Sequence, residues 1–134
     1  MKVSKKTAII AVDLQKSLTM PGGNNYYETA TEMMDRVAEN LNKMREKGAL
    51  IIYIWTKTQL SSGLTCAAPA INPDLEGRVL SKKTDEMLEL DDRLRVVPEK
   101  DLVICKHTYS AFWGTPLLEA LEQNGIENVV VCGI

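Results

Sequence analysis

Four short apolar runs are spaced along the chain, each bounded by polar or turn-forming residues. They are TAIIAV at Thr7–Val12, ALIIYIW at residues 49–55, DLVIC at residues 101–105 and NVVVC at residues 128–132. Short apolar runs without strict alternation of polar residues are typical of strands that are buried on both faces of a parallel sheet. The pattern therefore predicts four strands of such a sheet.

The stretch between the first two runs has helical periodicity. Apolar residues recur at three- and four-residue spacing over residues 27–47, and Gly48 follows as a C-cap. The residues of this stripe are Met33, Val37, Leu41 and Met44, widened by Ala30, Met34 and Ala38. The order strand, helix, strand implies a right-handed crossover between parallel strands.

A second helix is predicted just before the fourth run. Thr115 offers an N-cap hydroxyl, Pro116 suits the first helical position, and Gly125 marks the end of the helix. Three leucines are expected to face inward from this helix: Leu117, Leu118 and Leu121. A short helical turn is also expected over residues 85–90.

Together these elements predict an α/β fold, a doubly wound three-layer α/β/α arrangement around a parallel sheet, in one domain over residues 1–134. Residues 56–80 show no sustained period and contain two prolines and two glycines. Long loops are uncommon in compact domains unless they serve a function. We therefore expect this segment to face a substrate.

Composition and charge narrow the possible partners. Sixteen basic and eighteen acidic side chains give a net charge of −2, without a basic stripe, so nucleic acid is not an expected partner. The first apolar run is interrupted by Asp13, which makes it too short for a signal peptide or a membrane span. We expect a cytoplasmic protein that acts on a small molecule.

The cysteines do not indicate a metal or disulfide framework. Cys66, Cys105 and Cys132 are an odd number without a CxxC pair, and His107 is the one histidine in the sequence. A mononuclear zinc site needs three or four donors. The sequence therefore predicts neither a metal nor another cofactor.

Two charged residues stand where ligands bind in this kind of fold. Asp13 follows the first predicted strand and Lys106 follows the third. Ligands of open parallel sheets bind beyond the carboxyl ends of the strands, so the two side chains could meet at one crevice. There a carboxylate could take a proton while an ammonium stabilises negative charge. The alternatives are a structural ion pair, or two solvated strand ends that never meet.

The residues around these positions resemble a known family, the isochorismatase-like cysteine hydrolases, which include nicotinamidases and related amidases. The stretch AIIAVDLQ is similar to the opening strand of the family with its catalytic Asp and following Gln, here Asp13 and Gln15. The stretch VPEKDLVICKHTYSAFWGTPLLEALEQNGIENVVVCGI is similar to a second block, with the catalytic Lys at Lys106. Its Tyr-Ser-Ala-Phe signature begins at Tyr109.

The resemblance implies an Asp-Lys-Cys triad that acts through a covalent intermediate on a small amide, imide or enol ether. In the family the nucleophile lies a few residues beyond the glycine that ends the fourth strand, at the start of the next helix. We therefore expect it just past Ile134, where a helix N-terminus and a cation would favour the thiolate. The three thiols of this sequence are not expected to be the nucleophile. Cys132 and Cys105 are expected to pack within strands, with Cys105 on the face opposite Lys106, and Cys66 lies in the loop without an activating neighbour.

The resemblance also suggests residues that contact substrate. They are Gln15, Leu18, Trp55 and Tyr109, with Trp55 equally suited to the core. The family often has Asn, Asp and an aromatic residue where this chain has Lys16, Ser17 and Leu18, which changes the expected shape of the pocket. The stretch WTKTQLSSG has neither an acid nor a histidine where nicotinamidases hold a metal, which implies a relative that binds none.

Three functions are compatible with these features. The first is a cysteine hydrolase, which is supported if the gene continues past Ile134 to a cysteine at the start of a helix. The second is a truncated homologue or binding subunit that keeps the pocket without turnover. The third is a response-receiver domain, which the missing acids in LIIYIWTKT disfavour. The family's sheet is larger, so the strand at residues 128–132 would be an interior strand. We therefore expect the chain to be a fragment of a longer protein, an inactive truncation or a half-domain completed by another chain. An exposed apolar edge also predicts an oligomer.

Overall fold

Four parallel strands form one sheet in a computed structural model that describes residues 2–23, 26–57 and 85–134. They are β1 (Thr7–Val12), β2 (Leu50–Thr56), β3 (Leu102–Lys106) and β4 (Asn128–Gly133), in the order β3-β2-β1-β4. All three neighbouring pairs are parallel. The predicted strands are therefore confirmed, with β2 and β3 each shifted by one residue and β4 longer by one.

Helices lie on both faces of this sheet, as the doubly wound prediction requires. The helices are α1 (Lys16–Thr19), α2 (Glu28–Glu46), α3 (Asp85–Leu88) and α4 (Leu117–Gln123), and a 3₁₀ turn covers Asp92–Leu94. The long helix α2 agrees with its predicted range to within one residue at each end. It is followed by Gly48 at a positive φ of 91°, which agrees with the predicted C-cap.

The sheet separates two apolar cores, one on each of its faces. On one face α2 packs against β1 and β2, and this core includes Ile9, Met34, Leu41, Ile51, Tyr53 and Leu94. On the other face α4 covers a second core with Ala8, Ile10, Ile52, Ile54, Ile104 and Leu117. Alternate residues of the central strands thus enter opposite cores, which explains why those strands are apolar at nearly every position.

The start of α4 differs from the prediction. Pro116 is the N-cap with φ −83° and ψ 21°, so the helix begins one residue later, at Leu117. The hydroxyl of Thr115 still accepts a hydrogen bond from the Leu117 N–H, at 3.3 Å. The inward orientation predicted for Leu118 is wrong, because Leu117 and Leu121 occupy the core-facing side and Leu118 is 53% exposed. Successive helical residues point about 100° apart, so only some of three neighbouring leucines can face the same core.

Two short elements were not expected from the sequence. Helix α1 follows β1 directly, and the 3₁₀ turn comes just before β3. The ammonium of Lys16 joins them through ion pairs of 2.8 Å to Glu89 and 3.1 Å to Asp92. Hydrogen bonds to Glu89 and then Asp92 raise the pKa of Lys16 to about 12. Neither element has apolar periodicity long enough to be read from sequence.

Strand β4 is at the edge of the described sheet, and one of its faces is open. Val129 and Val131 alternate with more buried residues and are respectively 45% and 66% exposed. Their side chains share the face on which α4 packs, because their partners in β1 are Ala8 and Ile10. An apolar strand face beside an unpaired edge is a surface that associates readily.

Candidate active site

The carboxyl ends of the three strands β1, β2 and β3 meet at one edge of the sheet. Asp13 directly follows β1, Thr56 is the last residue of β2, and Lys106 is the last residue of β3. Thr56 and Lys106 are register partners. Because the strands are parallel and adjacent, their polar terminal side chains lie side by side.

The backbone turns sharply at Asp13. Its N–H continues the ladder by donating to the Ile54 carbonyl at 2.8 Å, and its φ is +57°. A positive φ is uncommon for a residue with a side chain, although aspartate tolerates it better than most residues do. Its own carbonyl then accepts a hydrogen bond from the Gln15 N–H, at 2.8 Å. The turn ends the strand and begins α1, leaving the carboxylate at the edge.

Each oxygen of the Asp13 carboxylate has a different partner. Lys106 Nζ lies 2.9 Å from Oδ2, and the Thr56 hydroxyl donates to Oδ1 at 2.6 Å. The Lys106 side chain is 6% exposed and that of Asp13 is 20% exposed. The expected proximity of Asp13 and Lys106 is thus observed. Two charges with so little access to water depend on each other, because removing one leaves the other unpaired.

The Gln15 side chain connects the end of β1 to the end of β2. Its Oε1 accepts from the Thr56 N–H at 2.8 Å, and its Nε2 donates to the Thr56 carbonyl at 3.1 Å. The same Nε2 donates to the Leu88 carbonyl at 2.6 Å. Gln15 is almost completely buried. The contacts of this amide are to backbone, and the substrate contact expected for it stays a prediction.

The other residues expected to contact substrate are on α1, on β2 and in the loop after β3. Leu18 is half-buried on α1, and its carbonyl accepts a hydrogen bond from the Tyr27 N–H. Tyr109 is 69% exposed in the loop after β3. Trp55 faces away from Lys106, because its register partner is Cys105 and strand neighbours alternate between faces. Their roles as substrate contacts stay predictions.

Trp55 lines an apolar cavity beside the end of β2. The cavity has a volume of about 350 Å³ and is lined by Trp55, Lys57, Leu88, Glu89, Leu90 and Val103. Val103 is the register partner of Tyr53, which places this cavity on the α2 side of the sheet. It is therefore separated from the Lys106 side chain by the sheet itself.

Neither thiol of the described residues is arranged as a nucleophile. Cys105 and Cys132 are half-buried, and burial raises the pKa of both. Cys132 packs with the core under α2, and Cys105 faces the side opposite Lys106. The predicted packing of Cys132 and orientation of Cys105 are confirmed. Cys66 and the rest of residues 58–84 lie outside the described residues.

The end of β4 approaches the same edge. A Cβ atom on Gly133, which has φ +144°, would lie 2.0 Å from the Val12 carbonyl oxygen. Only glycine fits so close to the neighbouring backbone. The next N–H, of Ile134, donates to that same carbonyl at 3.2 Å. The chain therefore leaves β4 next to the residue that precedes Asp13.

The sequence pattern predicts a loop over residues 56–80 and does not single out Thr56. In the structure Thr56 ends β2 and contacts Asp13. The signal was present, because Thr56 is the first polar residue after an apolar run, as Asp13 and Lys106 are after theirs. A threonine is uncharged and common at the ends of strands, so its position alone does not indicate a site.

A metal or membrane role gains no support in the described part of the chain. Residues 2–23, 26–57 and 85–134 contain no group of three His, Cys, Asp or Glu side chains that could hold a metal. Most of the WTKTQLSSG stretch lies outside them, so the prediction of a metal-free site stays a prediction. Among the helices described, none is long and apolar enough to cross a membrane.

The sequence of this chain is similar to proteins of a known family. Residues 7–134 match the family described as Isochorismatase domain. The ureidoacrylate amidohydrolase RutB of Azorhizobium caulinodans is 28% identical over 150 aligned positions, which cover 97% of this chain and 64% of that protein. The chain thus spans less than two thirds of this curated relative.

Two solved structures share the fold. A cysteine hydrolase from Pseudomonas syringae pv. phaseolicola has a TM-score of 0.81 at 23% identity, covering 97% of this chain and 60% of that one. An N-carbamoylsarcosine amidase from Thermoplasma acidophilum has a TM-score of 0.72 at 26% identity, covering 96% and 67%. The three-layer α/β/α fold predicted from the sequence is confirmed by these likenesses.

Proposed function

Because the chain belongs to the isochorismatase family, we propose that the protein is a cysteine hydrolase that cleaves the carbonyl–nitrogen bond of a small amide. The observation that carries this proposal is the ion pair of 2.9 Å between Lys106 and Asp13. It lies at the carboxyl edge of a parallel sheet, where substrates of such folds bind. The end of β4 lies beside it.

In this proposal Asp13 is the general base. A carboxylate within hydrogen-bond reach of a thiol can accept its proton. The thiol sulfur then bonds to the substrate carbonyl carbon, and Asp13 passes the proton to the nitrogen as the carbon–nitrogen bond breaks. Water then adds to the carbonyl carbon of the resulting thioester, which is a thiocarbamate when the substrate is of the urea type, and its hydrolysis releases the acid and restores the thiol. Lys106 holds the Asp13 carboxylate through the ion pair and stabilises the negative charge that develops.

The nucleophile is proposed to be a cysteine that follows Ile134 in the full-length protein. Cys105 and Cys132 are half-buried in strands, and both face the α2 side of the sheet, opposite the Lys106 side chain. A residue shortly after β4 would begin close to Val12 and hence close to Asp13. A cysteine at the N-terminus of a helix there would have its thiolate favoured by the helix dipole.

The substrate proposed is an amide of the urea type. The names of two relatives contain such a group, as ureido in ureidoacrylate and as N-carbamoyl in N-carbamoylsarcosine. Both describe a carbonyl carbon between two nitrogens. Imides and enol ethers, which the resemblance also allowed, are the comparison substrates in the test.

The test uses the protein translated from the complete reading frame. We expect ammonia release from ureido or N-carbamoyl acids, and a loss of kcat of roughly 100-fold or more in Asp13→Asn and Lys106→Met. Cys105→Ser and Cys132→Ser are the matched controls and should keep activity. Full activity in Asp13→Asn, or loss of activity in both cysteine controls, would contradict the proposed roles.

A non-catalytic binding protein is the second candidate. It is favoured by the position of the two described thiols, Cys105 and Cys132, away from the ion pair. Calorimetry with ureido and N-carbamoyl acids would separate the two candidates. Saturable binding without any product, in a protein whose intact mass matches its reading frame, would favour the binding protein over the hydrolase.

An oligomer of the chain over residues 1–134 is also proposed, because Val129 and Val131 expose an apolar face at the edge of its sheet. Light scattering of this chain tests the proposal, and a monomer at every concentration would contradict it. A cytoplasmic location is proposed as well. Fractionation of cells that express the tagged full-length protein would contradict it if the protein appeared in the membrane or secreted fraction.

A further inference from the structure

The Thr56 hydroxyl is the second anchor of the Asp13 carboxylate. It donates to Oδ1 at 2.6 Å, while Lys106 Nζ lies 2.9 Å from Oδ2. One donor alone would leave the carboxylate free to rotate about its bond to Cβ. Two donors on different oxygens fix the plane of the group, and a carboxylate has further lone pairs to accept a proton.

Thr56 is itself held on both sides of its backbone. The Gln15 amide accepts from the Thr56 N–H at 2.8 Å and donates to the Thr56 carbonyl at 3.1 Å. The next residue, Lys57, donates its N–H to the Lys106 carbonyl at 3.1 Å. The Thr56 side chain is β-branched and therefore has few rotamers. The hydroxyl is thus a rigid donor, carried by a backbone that β3 and Gln15 both hold.

Gln15 has a third contact that connects this edge to the segment before β3. Its Nε2 donates to the Leu88 carbonyl at 2.6 Å, at the end of α3. An isolated antiparallel β-bridge pairs the backbones of Gln15 and Leu90 beside this contact. Because the amide is almost fully buried and bonded to three backbone groups, its orientation is determined by the fold.

We propose that Thr56 is a positioning residue for the hydrolysis, and that Gln15 acts through Thr56 to keep the Asp13 carboxylate in its productive plane. The inference rests on the proposed function, because it assigns Asp13 the role of base. Proton transfer depends on the alignment of donor and acceptor, and small displacements reduce it strongly. Without the hydroxyl, Lys106 alone would determine where the carboxylate points.

The experiment compares three substitutions of Thr56 in the full-length protein. Thr56→Val and Thr56→Ala remove the hydroxyl, whereas Thr56→Ser keeps it. Thr7→Val is the matched control, because Thr7 is a buried threonine at the opposite end of β1 whose hydroxyl accepts from the Ser4 N–H. Each variant is measured for kcat, KM and the ¹³C carboxyl signal of Asp13, assigned by its absence in Asp13→Asn.

We expect Thr56→Val and Thr56→Ala to lower kcat roughly tenfold with little change in KM, and to move the Asp13 carboxyl signal. Thr56→Ser should restore both, and Thr7→Val should leave both as in the wild type. An unmoved signal in both hydroxyl-free variants would overturn the inference, and so would an unchanged kcat in an active enzyme. If the wild type hydrolyses no amide, the proposed function fails, and the carboxyl signal alone decides whether Thr56 orients Asp13.

Discussion

Lys106 Nζ lies 2.9 Å from Asp13 Oδ2 although β2 separates their strands in the sheet. Neighbouring strands are about 4.8 Å apart, so the two side chains and the contact between them together span roughly twice that distance. The four-carbon stem of the lysine provides most of this reach, passing the end of β2 at Thr56. The pair thus connects three strands, and its length explains why a lysine rather than a shorter donor suits this position.

The ion pair is expected to stabilise the sheet edge as a unit. Lys106→Met or Asp13→Asn alone should lower the free energy of unfolding by about 2 kcal/mol or more, because each leaves a largely buried group without its charged partner. The double variant should cost less than the sum of the two. Urea denaturation of all four proteins measures this, and strictly additive losses would show that the pair does not interact.

The Gln15 amide should be important for folding as well as for position. Gln15→Met removes hydrogen bonds to three partly buried backbone groups, on Thr56 and Leu88, and should cost roughly 3 kcal/mol. Gln123→Met is the matched control, because Gln123 is exposed at the end of α4 and its loss should change stability by less than about 0.5 kcal/mol. Equal urea midpoints for the two variants would contradict the role of Gln15.

Gly133 should tolerate no side chain. Gly133→Ala would place a Cβ atom 2.0 Å from the Val12 carbonyl oxygen, so β1 and β4 would have to separate. Gly125→Ala serves as the comparison, since Gly125 has φ +59° and nothing within 4 Å of the added atom. Gly125→Ala should cost about 1 kcal/mol of unfolding free energy from backbone strain alone. Thermal unfolding should show a clearly larger loss for Gly133→Ala, and a similar loss in both would contradict the close approach.

Asp91 should make stability depend on pH in the acid range. Burial opposes its ionisation, but hydrogen bonds from Arg93 and Thr19 outweigh burial and lower its pKa. A folded pKa below the unfolded value means that the stabilisation is present above about pH 4 and is lost as the pH falls through the folded pKa.

Asp91→Asn provides the measurement for this titration. The variant should be less stable than the wild type at pH 7, because it loses the ion pair of 2.6 Å with Arg93. Its free energy of unfolding should also vary less between pH 5 and pH 2. Glu119→Gln is the control, because Glu119 is an exposed carboxylate on α4. Parallel pH curves for the wild type and Asp91→Asn would show that this group does not contribute to acid unfolding.

Much of the fold could be predicted because its signals are local. An apolar run such as TAIIAV is typical of a buried strand, and the apolar stripe of α2 is typical of a helix that covers a sheet. The short elements could not be predicted in this way. Helix α1 and the 3₁₀ turn are too short to show a period, and they contact each other through Lys16, Glu89 and Asp92, which are distant in sequence.

The candidate site shows the same division. The sequence alone determined that Asp13 and Lys106 each end an apolar strand, because hydrophobic runs and the polar residues that stop them are properties of the chain itself. Only the tertiary structure decided that these side chains meet, that Thr56 binds the other carboxylate oxygen, and that Gln15 holds Thr56. Strand order, register and side-chain direction arise from packing between distant segments, and no single segment contains that information.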